Sequence, residues 1–164
     1  MVPDLTSEFL AQPDGVRRPD RRRVVDSAGV KISVAEWGDE QAPAMLLAHG
    51  GFDFAETLNR FAPMLADGGY RVVSWDQRGH GESAWAHLYS WEADIRDASV
   101  LATLPDEPLP FIGHSKGGSM VMHLANVAPH RVSALVNLDG LPSGNNMPDV
   151  SELERTRMQR DEMD

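Results

Sequence analysis

Short apolar runs bounded by turn residues alternate along this chain with stretches whose apolar positions recur at helical spacing. Residues 44–48, 70–75, 109–112 and 131–138 are such runs and predict buried strands. Two further runs, 22–26 and 30–37, flank Ser27-Ala28-Gly29 and predict a β-hairpin. Helical spacing occupies 56–67, where Leu58, Phe61, Ala62 and Leu65 share a face and Gly68-Gly69 is the stop. It returns at 91–104, closed by Pro105 and Pro108, and at 116–128 through Met120, Val121, Leu124, Ala125 and Ala128. Strands that alternate with helices predict an α/β fold, a mostly parallel sheet with flanking helices joined by right-handed crossovers. Such a sheet binds ligands at the carboxyl ends of its strands.

The stretch Leu109-Pro110-Phe111-Ile112-Gly113-His114-Ser115-Lys116-Gly117-Gly118 is the centre of the pattern. Ser115 falls on the turn between a predicted strand and a predicted helix. Gly113 and Gly117 stand two residues to either side, where side chains would collide if strand and helix folded back sharply. This is the G-x-S-x-G arrangement of an exposed, strained nucleophilic serine. His49-Gly50-Gly51, the loop beginning at Asp76, and Asp139 also follow predicted strands, so four signals converge on one edge of one sheet.

Composition narrows the function classes. The 164 residues are enough for one domain with a sizeable core, and with 41% hydrophobic and 24% charged residues they describe a folded chain. A net charge of −10 sets the surface against nucleic acid and anionic membrane and suits a small-molecule substrate. The absence of cysteine excludes disulfides and thiolate metal sites. No cofactor or metal is called for. The first residues hold acids and no apolar run long enough for a signal peptide or a membrane span, so the expected location is the cytoplasm. Residues 1–21 read as a loosely held leader, 22–140 as the core and 141–164 as a tail, helical over about 150–163.

Other candidate groups have plainer readings. The arginines at 17, 18, 21, 22 and 23 lack interleaved aromatics and have Asp14 and Asp20 beside them, which favours a solvated surface over a nucleic-acid arm. His49 and His80 adjoin glycine on turns and are expected to brace loops. His123 lies two helical turns from Ser115, about 12 Å along the axis, and neither it nor His130 is a credible base. Gly79-x-Gly81-x-x-Ala84 is a weak dinucleotide fingerprint, because no helix opens after it and no acid ends the next strand. Trp37, Trp75, Trp85 and Trp91 are expected in core and pocket wall.

Taken together, the hairpin, His49-Gly50-Gly51, residues 76–83 (DQRGHGES), GHSKGG and the Leu138-Asp139-Gly140 strand end resemble the α/β-hydrolase superfamily, in its branch of esterases, lactonases and C–C-bond hydrolases. The resemblance covers about residues 22–140 and implies an α/β-hydrolase fold that stops short of the last strands. It implies an oxyanion hole built from the backbone N–H of Gly51, with Phe52 beside it, and that of Lys116. Fixed amide donors of this kind stabilise charge developing on a carbonyl oxygen. Lys116 departs from the apolar or amide residue commoner at its position. Its cation either favours an acidic substrate or pairs with a neighbouring carboxylate such as Asp139.

The resemblance also implies a triad in the order serine, acid, histidine. Asp139 matches the acid position of some members, while in others the acid comes one strand later and Asp139 is a structural carboxylate. No histidine follows His130. The chain therefore reads as the amino-terminal portion of a serine hydrolase cleaving an ester, lactone or related acyl bond, given without its catalytic histidine and with only the start of a cap. A serine nucleophile sets it apart from dehalogenases and epoxide hydrolases, which use aspartate there. The alternative is a truncated, non-catalytic product acting as a binding or interaction module. In either case the strand at 131–138 is expected to form an open edge capable of self-association.

Overall fold

A computed structural model describes residues 15–103 and 106–141. Six strands, β1 (Arg21–Ser27), β2 (Val30–Trp37), β3 (Ala44–Ala48), β4 (Arg71–Trp75), β5 (Leu109–His114) and β6 (Val132–Leu138), form one sheet in the order β1-β2-β4-β3-β5-β6. The β1/β2 and β2/β4 pairings are antiparallel, and β4/β3, β3/β5 and β5/β6 are parallel. The hairpin register pairs Ser27 with Val30 across Ala28-Gly29, both at positive φ (50° and 85°). That is the signature of a two-residue turn whose twist matches the strands.

Three helices, α1 (Phe61–Asp67), α2 (Trp91–Ala102) and α3 (Lys116–Val127), cover the two faces. The alternation of side chains along the strands divides the core. Ile32, Val34, Leu46, Val73, Trp75 and Phe111 pack with Leu101 of α2 and Met120, Val121 and Leu124 of α3. Ala35, Trp37, Met45, Leu47, Val72 and Ile112 face the other way, onto Ala62 of α1 with Phe61 and Leu65 against them.

The single helix expected over 56–67 is two pieces, a 3₁₀ turn at Ala55–Leu58 and then α1. Pro63 supplies the reason. It has no N–H to bond the carbonyl of Asn59, so a continuous helix would be broken there, whereas restarting at Phe61 puts Pro63 in a first turn, where no intrahelical acceptor is needed. The α2 helix ends at Ala102, and the expected last residue, Leu104, lies outside the described residues, as does the tail at 142–164 with its expected helix. The end of the expected leader is fastened: the Arg17 N–H donates to the Asn59 carbonyl and the Trp37 indole N–H donates to the Arg17 carbonyl, both at 2.9 Å.

Four of the five arginines of the basic cluster are taken up by ion pairs. Arg17 meets Asp67, Arg21 and Arg23 flank the buried Glu36, and Arg22 meets Glu56 and Glu82. Of the four tryptophans Trp37 and Trp75 are fully buried, whereas Trp85, expected in core or pocket wall, is 84% exposed. Trp85 stands on the loop between β4 and α2, which has no helix of its own to pack it.

Candidate active site

Ser115 sits between β5 and α3 with φ 50° and ψ −119°, a conformation that costs a non-glycine residue on the order of 1–3 kcal/mol and persists only when its surroundings over-determine it. Those surroundings are visible. A Cβ on Gly113 would fall on the carbonyl of Gly117, and one on Gly117 would meet the carbonyl oxygens of Ala48 and His49 at 2.5 Å. The Ser115 N–H donates to the Leu138 carbonyl at 2.9 Å, and the Ser115 carbonyl accepts from the Ser119 N–H at 3.0 Å. The turn is thus pinned by β3, β6 and its own helix.

The His49-Gly50-Gly51 turn lies alongside. A Cβ on Gly50 would be 3.5 Å from that of Ser115, and one on Gly51 would be 3.8 Å from that of Lys116. Phe52 follows at φ 60°, its side chain fully in solvent. An open cavity of about 480 Å³ is lined by Gly51, Phe52, His80, Ser115 and Lys116. Gly51, Phe52, Ser115 and Lys116, singled out in the sequence, therefore meet at one opening. His80 joins them there although it was read only as a loop brace.

Beneath this opening His49 is fully buried. Its Nε2 accepts from the Gln77 N–H at 3.0 Å, which leaves the proton on Nδ1 to be donated to the Gly50 carbonyl at 2.7 Å. Burial pushes the imidazole below its ordinary pKa, against the opposing effect of the Gly50 bond. His49 is a neutral brace between the β3 turn and the loop after β4. That loop is knotted by Asp76, whose carboxylate accepts from the N–H groups of Ala55 (2.7 Å) and Glu82 (2.8 Å). It is anchored further by Arg78, which forks onto Asp97 of α2 at 2.8 and 2.7 Å and donates to the Leu88 carbonyl at 3.0 Å. The Asp97 hydrogen bonds hold the guanidinium of Arg78 above even its usual range.

Lys116 pairs with a carboxylate, but not with Asp139. Its Nζ is 2.8 Å from Oδ2 of Asp94 on α2, with side chains 30% and 8% exposed. The first residue of α3 is turned toward the helix that packs on α3, whereas Asp139 follows β6. Asp94 and Asp97, three apart on α2, are both buried, and each is paired, Asp94 with Lys116 and Asp97 with Arg78.

Asp139 is exposed, at φ 58°. Its neighbours on both sides touch the serine turn: Leu138 accepts from the Ser115 N–H, and a Cβ on Gly140 would lie 2.8 Å from the Ser115 carbonyl. Asn137 holds Gly140 in place through its N–H at 2.8 Å and its carbonyl at 3.0 Å. Among the described residues neither the Asp139 carboxylate nor the Ser115 hydroxyl has a hydrogen-bond partner. No described helix is long and apolar enough to cross a membrane.

Comparison with known proteins gives this arrangement its relatives. A serine hydrolase-like protein of Dictyostelium discoideum is 32% identical over 116 residues, 68% of this chain and 32% of that protein. Epoxide hydrolase A of Mycobacterium tuberculosis is 33% identical over 120 residues, 71% of this chain and 37% of that enzyme. Among solved structures, the thioesterase domain from the curacin biosynthetic pathway superposes with a TM-score of 0.72 at 27% identity, covering 86% of this chain and 50% of that domain. The chain thus spans about a third of the length of these two curated relatives. A family model described as the alpha/beta hydrolase fold matches residues 43–163. By fold, strand order and this match, the chain belongs to the alpha/beta hydrolase family.

Proposed function

We propose that this chain carries the nucleophile and oxyanion donors of a serine hydrolase that cleaves an ester, lactone or related acyl bond of a small molecule. The observation that carries the reading is the conformation of Ser115, held at positive φ on a turn that Gly113 and Gly117 allow to close. In this reading the Ser115 Oγ attacks the acyl carbon, and its proton passes through a base to the departing alcohol. The C–O bond to that alcohol breaks, and water then releases the acid. The backbone N–H groups of Lys116 and of Gly51 or Phe52 stabilise the oxyanion, where each donor is worth about 10²–10³ in rate. Asp139 is the acid of the triad, adjoining the serine turn through Leu138 and Gly140.

Serine hydrolase and thioesterase relatives support acyl chemistry. The epoxide hydrolase relative supports the fold, and the serine at position 115 favours acyl chemistry, as the resemblance read from the sequence implies. No base contacts the Ser115 hydroxyl among the described residues, and no histidine follows His130. A fluorophosphonate is therefore expected to label the 164-residue chain at Ser115 slowly, with ester turnover no more than the roughly 10³–10⁴ over water that binding and an oxyanion hole sustain. Labelling that persists in Ser115→Ala would overturn the assignment. The unpartnered hydroxyl is also the observation that favours the second reading, a non-catalytic binding module, which complete absence of labelling would support.

A further inference from the structure

A second cavity, of about 370 Å³, is lined by Tyr89, Ser90, Trp91, Asp94 and Lys116. Lys116 therefore walls both this cavity and the one that holds Ser115. The aromatic walls are held in place. The Tyr89 hydroxyl accepts from the Ala86 N–H at 2.9 Å, and its ring packs so closely on Gly79 that a Cβ there would come within 2.7 Å. The Trp91 ring leans on His123, centroids 5.7 Å apart. Both rings are half exposed nonetheless, Tyr89 at 51% and Trp91 at 43%.

The Lys116–Asp94 pair, neutral as a unit, lines the same cavity. It is not saturated: among the described residues the Lys116 ammonium, with three protons, has one partner, and Asp94 commits only Oδ2. An anionic ligand would gain Lys116 but face Asp94, and a cation would meet the reverse. A planar neutral group that both donates and accepts satisfies the two together without leaving a buried charge exposed to its like.

We propose that this cavity is a subsite for a neutral, planar donor–acceptor group of the carboxamide class, with Lys116 and Asp94 as its specificity-determining residues. The proposal rests on the reading of Ser115 as nucleophile for its place in catalysis: the group belongs to a substrate whose acyl carbon lies at Ser115, in the cavity that shares Lys116 with this one. The sign of the selectivity follows from Asp94. While its carboxylate is present the lysine's charge is cancelled and anions are refused; without it the cation is free to attract them.

The test is equilibrium binding, which requires no chemistry at Ser115 and so reads separately from fluorophosphonate labelling. Benzamide and benzoate are titrated into the full chain while the indole N–H resonance of Trp91, assigned with Trp91→Phe, is followed by NMR. Benzamide is expected to shift that resonance, and benzoate to bind about tenfold more weakly, the penalty of one screened like charge. In Asp94→Asn the benzoate-to-benzamide affinity ratio is expected to rise about tenfold for the same reason. Lys116→Met should weaken benzamide and also lower the benzoate ratio below that of Asp94→Asn. The proposal is overturned if benzoate equals or exceeds benzamide on the unaltered chain, or if neither ligand moves Trp91. It fails equally if a folded Asp94→Asn leaves the ratio unchanged. The comparison on the unaltered chain decides the matter even where a variant does not fold.

Discussion

Gly113 and Gly51 are both glycines beside Ser115, yet the space around them differs. A methyl on Gly113 collides with backbone of Gly117 and Gly118, which cannot yield without moving the serine turn, while one on Gly51 finds Lys116 at an ordinary 3.8 Å. Gly113→Ala should therefore cost about 2–3 kcal/mol in urea denaturation, and Gly51→Ala less than about 0.5 kcal/mol. His49 gives a pH dependence whose sign is fixed by its burial. Its folded pKa lies below the unfolded value, so the unfolded chain binds the extra proton. The contribution of His49 to stability is complete above its unfolded pKa, about 6.5, and is lost as pH falls from there toward the lower folded value. The urea midpoint is expected to drop between pH 7.5 and 5.5, with the His49 imidazole titrating by NMR at a lower pH than an ordinary histidine. An imidazole that titrates at its ordinary pH would contradict the bracing geometry.

The loop that follows β4 has no regular structure, so side-chain bonds order it: Asp76 and His49 hold its start, and Arg78 fastens it to α2. Arg78 and Asp97 are each about 1% exposed in their side chains, and the Ser27 hydroxyl donates to the same carboxylate, tying β1, the loop and the helix at one point. Removing one partner strands a buried charge. Asp97→Ala should cost about 3–5 kcal/mol, whereas the double change Arg78→Met with Asp97→Leu should recover much of that loss. Guanidine or urea melts of the three variants measure both numbers, and additive losses would mean that the pair is not a unit. A similar accounting explains α1. Its helical periodicity runs back through Leu58, but Pro63 decides where backbone bonding can restart, and a hydrophobic pattern alone does not register that.

The sheet as described has β6 at one margin, bonded to β5 on a single side. Val136 and Leu138 are 46% and 41% exposed there, and among the described residues no strand pairs with the outer side of β6. Edges of this kind pair with other strands unless charge or a bulge prevents it. The purified 164-residue chain is expected to self-associate in light scattering, and Val136→Lys is expected to reduce that association. A monodisperse monomer at high concentration would count against an available edge. The charge of −10 opposes association in general, so a drop in oligomer size at low salt and its recovery at high salt should accompany the effect.

The strands and helices near the serine turn, their order, and the position of Ser115 at a strand-to-helix bend were legible because each depends on local pattern: period two or a short apolar run, period 3.6, and glycines where a side chain cannot fit. The convergence of His49-Gly50-Gly51, residue 76, Ser115 and residue 139 on one edge follows from the same source, since parallel strands joined by right-handed crossovers all end on the same side. Partnerships across the fold were not legible. Lys116 bonds Asp94 rather than Asp139 because α2 packs against α3, and nothing in the local pattern of either helix says which carboxylate a lysine one layer away will find. The bracing of His49 by Gln77, the fastening of Arg78 to Asp97, the exposure of Trp85 and the presence of His80 at the serine's cavity belong to the same class. A sequence fixes what each segment prefers to be, through sterics and burial within a few residues. Which side chains then meet depends on the packing of whole elements, where contact energies between residues far apart in the chain are settled together.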